Sequence, residues 1–400
     1  MPFLRGFIRH PRKVWLRMVI FQVHLWAGLI FALYLVAIGL TGSILVFRED
    51  FEAMANPWRN IPMTGARVSP AAVVAKVRAA FPHARLVSLA APVRSNPVYV
   101  ALLQGRGRYF GSASIAIHPE SAQVLGRMPR GLPANLAWLG VVRNFHETLL
   151  SGRVGRQTNG VLAAMLVLIN LTGIVVWWPG LIAWKQALRV DFASGWRRVN
   201  FDLHRTLGFW MLAIVSLWGI SGFYFGWSGE TRRLVNRISP LVATVPPSIR
   251  VEPRPEPAAA DLDMTLATAA RLDPGATLRA IAFPSGRSTP LEISMQRPRT
   301  RGAEFADTLY FDPWDGRCLG IWKYGVNQSI GDWLVWSQIP LHFGTFWGFG
   351  VKIVWAVLGL SIPLLSVTGV LMYWNRALRR KWKRIRARSR TPVLTVRTNS

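Results

Sequence analysis

His24-Leu25-Trp26-Ala27-Gly28 and His204-Arg205-Thr206-Leu207-Gly208 each open a long apolar run, and a small pair, Thr41-Gly42 or Ser221-Gly222, follows seventeen residues after each histidine. The same pattern is written twice, 180 positions apart. A second pattern starts from His146 and His342, 196 positions apart. Behind these two histidines, Gly152 and Gly348, Arg156 and Lys352, Thr172-Gly173 and Thr368-Gly369, and Trp178 and Trp374 fall at matching distances. Four histidines therefore come as two matched pairs at the ends of apolar segments. That arrangement sets both the expected architecture and the expected chemistry.

The apolar segments decide the class. Of the 400 residues, 51% are hydrophobic, and stretches with few charges run over 19–47, 158–178, 207–227 and 351–374. A helix of about 20 residues crosses a hydrocarbon core of roughly 30 Å, so four membrane spans are expected. Arg5, Arg9, Arg12, Lys13 and Arg17 precede the first. They resemble the charged start of a signal peptide, but the apolar run is too long for a cleaved segment and no small-x-small site follows, so an uncleaved first helix is expected. Lys185, Arg189, Arg197 and Arg198 lie between spans two and three, and ten Lys or Arg without an acid lie between Arg376 and Arg397. Short basic segments stay on the cytoplasmic side, which places both termini and the middle loop there.

The formal net charge of +29 raises nucleic acid as a partner. Nineteen of the 48 basic residues belong to those three cytoplasmic segments, where topology and contact with anionic lipid account for them, so nucleic acid is set aside. A single cysteine, Cys318, rules out an intramolecular disulfide and any cysteine-based zinc or iron–sulfur site.

The two external segments read alike. Ser69-Pro70 caps a helix over 71–81, and strand-like runs follow at 85–91, 98–103 and 112–118 before a turn from His118 to Gly126. After a proline-rich linker, Pro246 to Pro257, a helix is expected near 262–272 and strands near 278–283, 291–296 and 306–312, closed by a turn from Asp312 to Gly320. The whole chain is thus expected to be a tandem duplication, its halves related by a pseudo-two-fold axis along the membrane normal. The fold class is a four-span α-helical membrane bundle with two small external α+β domains. The expected divisions are a basic N-terminus (1–18), span one (19–47), external domain one (48–145), a histidine motif with span two (146–178), and a cytoplasmic loop (179–203). Span three (204–227), external domain two (228–341), a histidine motif with span four (342–374) and a basic tail (375–400) complete them.

An ionisable side chain inside a span marks a functional site, because burying it unpaired in lipid costs several kcal/mol. Two equivalent imidazoles facing each other across the axis suit six-coordinate haem iron, His24 with His204 near the cytoplasmic face and His146 with His342 near the outer face. Zinc wants three or four close ligands, and a proton pathway wants buried acids, which the spans almost lack. The repeated glycines are expected to let backbones approach a flat macrocycle. Arg156 and Lys352 are candidate partners for propionates of the outer haem, and Arg205 and Arg198 for those of the inner one. Trp177-Trp178 and Tyr373-Trp374 read as interface belts.

These features together resemble the PepSY-associated transmembrane helix proteins of bacterial inner membranes, which include siderophore-iron reductases of the ferrioxamine type. The likeness rests on the His-x3-Gly openings, the His146 and His342 motifs, the Thr-Gly-plus-aromatic endings and the Asp312-Pro-Trp-Asp-Gly turn. It implies four spans, two periplasmic PepSY domains, and two b-type haems ligated by His24, His204, His146 and His342. It further implies passage of electrons from an unidentified cytoplasmic donor to a periplasmic acceptor, with ferric siderophore iron foremost. One departure is His118, standing where the family has an acid that the second copy keeps as Asp312. The rival reading is a membrane-anchored protein whose PepSY domains bind or regulate periplasmic peptidases without redox activity.

Overall fold

The computed structural model describes residues 14–93, 96–105, 111–129, 133–254, 259–298, 300, 305–346 and 348–378. The basic residues read at 5–13, the tail from 379 and the end of the proline-rich linker lie outside the described residues. In chain order the main elements begin with α1 (Trp15–Leu45), α2 (Pro70–Ala80), β1 (Ala84–Ala90), β2 (Tyr99–Gly105), β3 (Ser112–Ile117), β4 (Val124–Arg127) and α3 (Ala137–Thr148). Next come α4 (Gly152–Trp177), α5 (Trp196–Trp210), α6 (Leu212–Gly226), α7 (Ser228–Ile238) and α8 (Leu262–Leu272). The chain continues with β5 (Thr277–Ala282), β6 (Leu291–Gln296), β7 (Ala306–Phe311), β8 (Cys318–Lys323), α9 (Ile330–Phe343), α10 (Phe349–Gly359) and α11 (Ser361–Tyr373). They divide into a helical unit, formed by the chain up to Ile44, Phe145–Trp227 and the chain from Ile353, and a sheet unit, Leu45–Asn144 with Ser228–Lys352.

Among the described residues, three helices are long and apolar enough to cross a membrane: Trp15–Leu45, Gly152–Trp177 and Phe349–Ala377. The expected third span is broken instead. α5 and α6 meet at a bend of 64°, so that segment counts as a span only if the bent pair is taken as one. Just past the bend, Asn170 Nδ2 donates to the Leu212 carbonyl at 2.7 Å and to Ser216 Oγ at 2.7 Å, a side chain inserted where the backbone ladder is interrupted. Leu35, Leu166, Val215 and Ile362, one each from α1, α4, α6 and α11, meet in a common core. Small residues bring the backbones close: a Cβ on Gly219 would stand 2.5 Å from Val167 Cγ2, and one on Gly226 would stand 2.7 Å from the Gly160 Cα. Close packing of this kind holds helices together where lipid removes the hydrophobic driving force between them.

The sheet unit differs from two separate domains. The eight strands among the described residues form one antiparallel sheet in the order β4-β3-β2-β1-β5-β6-β7-β8, joined at its middle by Ser88, Leu89 and Ala90 of β1 against Ala282, Ile281 and Ala280 of β5. Each half is a four-strand meander with one helix on it. Val73, Val74 and Val77 of α2 pack on Leu89, Tyr99, Ala101 and Ile117, while Ala269 of α8 packs on Ile281, Ile293, Leu309 and Phe311. Leu262 and Phe283 touch both clusters, so the two cores are continuous. The helix starts follow the expected chemistry: Ser69 Oγ accepts from Ala72 N at 3.2 Å, and Asp261 Oδ1 accepts from Asp263 N at 2.8 Å. The turns after β3 and β7 also match. His118 Nδ1 accepts from Glu120 N at 3.2 Å, as Asp312 Oδ1 accepts from Trp314 N at 2.8 Å, so the histidine reproduces the turn geometry of the acid it replaces.

Candidate functional site

α1 and α5 bring His24 and His204 together, their ring centroids 6.3 Å apart and their planes at 76°. Each ring is oriented from behind by a different helix. His24 Nδ1 lies 3.0 Å from the Ile169 carbonyl and 3.2 Å from Thr172 Oγ1, both on α4. His204 Nδ1 lies 3.0 Å from the Leu365 carbonyl and 3.0 Å from Thr368 Oγ1, both on α11. A carbonyl only accepts, so Nδ1 carries the proton in both rings and Nε2 keeps its lone pair, the form in which a neutral imidazole binds a metal. The threonine hydroxyls are committed as donors to their own helices, Thr172 to Leu168 and Ile169, Thr368 to Leu364 and Leu365, and so act on the rings as acceptors.

The glycine after each threonine completes the seat. A Cβ on Gly173 would stand 3.1 Å from His24 Cε1, and one on Gly369 would stand 3.2 Å from His204 Cε1. The Thr-Gly pairs therefore receive histidine rings, a role nearer at hand than the approach to a macrocycle expected from the sequence. The third copy does the same for His146: Thr41 Oγ1 meets its Nδ1 at 3.0 Å, and a Cβ on Gly42 would stand 2.9 Å from its Cε1. Two polar residues outside the sequence-derived site hold this histidine's helix. Asn159 Nδ2 donates to the His146 carbonyl at 2.6 Å, and Tyr34 donates to Asn159 Oδ1 at 2.6 Å. Their signal in the sequence is a polar residue within each apolar run, Tyr34 in 19–47 and Asn159 in 158–178. Gly152 and Gly348 serve turns, with φ of 57° and 83°, and in the first turn Leu149 and Leu150 are left-handed as well.

His342 lies near the end of α9 in the sheet unit, its ring 5.1 Å from that of Phe343. The start of α9 is clasped. Asp332, with none of its surface exposed, accepts from the backbone N–H groups of Val242, Ala243, Thr244 and Gln328 and from the Thr244 hydroxyl, at 2.9 to 3.2 Å. Burial alone would raise its pKa, but these bonds outweigh it and hold the carboxyl below its ordinary value.

Three of the four cations expected at the cofactor edges pair with acids of the chain. Lys352 Nζ lies 2.8 Å from Asp50 Oδ2. Arg205 and Arg198 both pair with the buried Asp202, at 2.9 and 2.8 Å, and Arg205 also donates to the Gln186 carbonyl. Arg156 is exposed on α4. Of the aromatic pairs, Tyr373 packs against Trp26, and Trp177 stacks on Phe209 with centroids 4.3 Å apart.

A family model described as the PepSY-associated TM region matches residues 21–376. A protein of Pseudomonas aeruginosa strain PAO1 that bears the name uncharacterized protein PA4219 is 25% identical over 271 residues, which is 60% of this chain. The match spans 64% of that relative's length.

Proposed function

This chain belongs to the PepSY-associated transmembrane family, and on that premise we propose that it is a di-haem inner-membrane reductase passing electrons from the cytoplasmic side to a periplasmic acceptor. The observation that carries the reading is the His24/His204 pair. A metal about 2 Å from each imidazole nitrogen separates the ring centroids by roughly 6 Å, and the observed 6.3 Å fits that requirement. His24 and His204 form a set of two imidazole donors, which is the set that haem iron would take from the protein. His24 and His204 would hold one haem b, and His146 and His342 the other, in a four-span bundle built by duplication with both termini cytoplasmic.

Bound in this way, the two groups supply one-electron transfer across the membrane. The chain's own part is to fix the ligands. The Ile169 and Leu365 carbonyls set the tautomer, the threonines raise the basicity of each ring, and the glycines give it room. Held by two histidines each, the groups would serve electron transfer better than oxygen binding. Ferric siderophore iron is the proposed acceptor, because reduction to Fe(II) weakens its hold by hard oxygen ligands and frees the metal.

Proteoliposomes test the reading. With a reductant sealed inside and a ferric hydroxamate with an Fe(II)-trapping dye outside, the full-length protein should produce external Fe(II), and His24→Ala should abolish it. Equal rates with the wild type, His24→Ala and empty vesicles would contradict the proposal and leave the peptidase-binding reading in place.

A further inference from the structure

Where the helix ends in each half of the sheet unit, the backbone is the same and the side chain is not. Phe81 and Asp273 follow the last turns of α2 and α8, with φ of −131° and −129° and ψ of 61° and 75°. Each backbone N–H reaches back four residues, to the carbonyls of Val77 and Ala269. Ala113 and Asp307 are likewise the second residues of β3 and β7, paired with Leu103 and Met295. In the first half, Phe81 and Ala113 pack against the apolar core. A helix on a four-strand meander therefore closes with apolar residues at these places, and its fold does not call for the two acids of the second half.

Both acids are withdrawn from water, with 8% of Asp273 and 2% of Asp307 exposed. Asp307 is satisfied: Arg297 Nε donates to its Oδ1 at 2.8 Å, and Nη2 closes the same pair. Asp273 is not. Among the described residues its Oδ2 is buried without a donor, and the residue lines a cavity of about 610 Å³ with Arg297, Thr300, Asp307, Lys323 and Val326. Cavities of roughly 300–1,000 Å³ hold small organic ligands. Burial and the neighbouring Asp307 push the Asp273 carboxyl up from its ordinary pKa, a cost that a cation at Oδ2 reverses. One free oxygen is too little for a divalent metal, which takes about six or more, and a guanidinium engages both oxygens of a carboxylate. An ammonium is a compact charge with three donors, and a single oxygen suffices for it. We propose that this cavity binds a small molecule through a primary ammonium group, with Asp273 Oδ2 as the acceptor. Lys323 is exposed, and its charge acts on the same carboxyl, so it opposes the ligand. The site does not rest on the histidine pairs.

Saturation-transfer NMR on the purified full-length protein, in amine-free phosphate buffer, tests it with n-butylammonium and n-butanol as probes. The wild type should bind butylammonium saturably and butanol at least about tenfold more weakly, the difference that one charged hydrogen bond makes. Asp273→Asn keeps the shape, removes the charge and should weaken butylammonium binding by a similar factor. Lys323→Met, at an exposed position, should tighten it by removing the opposing charge. Nα-acetyl-lysine amide as a third probe tells a peptide side chain from a free amine. Binding of either amine through Asp273 supports the site, and the tighter one names the source. Amines that do not bind the wild type, bind no better than butanol, or bind Asp273→Asn as well as the wild type would overturn the inference. If Asp273→Asn fails to fold, the comparison with Lys323→Met decides, and an unchanged affinity there overturns it as well.

Discussion

A histidine ring is oriented by what stands behind it, and here a threonine and a glycine recur behind three of them. Carbonyl and threonine meet Nδ1, and glycine lies under Cε1, for His24 and His204, while His146 has the threonine and the glycine placed in the same way. Thr172→Val keeps the volume but removes an acceptor. It should weaken haem retention at the His24 site about tenfold, the lower end of what outer-shell partners of metal ligands contribute, measured by the rate of haem loss to an apo-globin scavenger. Retention equal to wild type would make the hydroxyl a helix feature only. The histidines were legible in the sequence because they repeat with their surroundings. The Thr-Gly pairs repeated just as clearly, yet their role was hidden, since Thr172 and His24 lie 148 positions apart and only packing brings them together. Arg205 and Lys352 were singled out as cations, but their partners Asp202 and Asp50 are visible only once the helices are placed.

Among the elements, α9 shows how a histidine-bearing helix is fixed at its far end. Asp332 lies ten residues before His342 and binds the 242–244 backbone to the helix start. Asp332→Ala leaves several buried N–H groups without an acceptor and should lower the stability of the sheet unit by about 2–4 kcal/mol, measured by urea unfolding. The sign with pH follows from a depressed folded pKa. The contribution is fully present above the unfolded value of about 4 and is lost as pH falls through the lower folded value, so wild type and Asp332→Ala should converge only in strong acid. A constant gap at low pH would contradict this account. Helices α2 and α8 and six strands were legible from caps and alternation. β4 and β8 were read as parts of turns because each carries a glycine and follows directly on a turn, and pairing with β3 and β7 is what makes them strands. The break between α5 and α6 carries no proline, so the sequence read one straight span there.

At the scale of the whole molecule, the repeat was visible along the chain, but the way its two helix-and-strand copies combine was not. Pairing β1 with β5 removes two sheet edges and merges the two cores through Leu262 and Phe283, a long-range event that no local pattern announces. The helical unit likewise draws its core from four apolar segments far apart in sequence. The proposed function depends on the four histidines acting in pairs. The most direct measurement is therefore the haem-to-polypeptide ratio of the purified full-length protein, from the absorbance of the dithionite-reduced form, for wild type, His204→Ala and His342→Ala. The account predicts two haems per chain in the wild type and one in each variant, the survivor being the haem at the unaltered pair. Wild-type protein without Soret and alpha bands, from cells making ample haem, would contradict it.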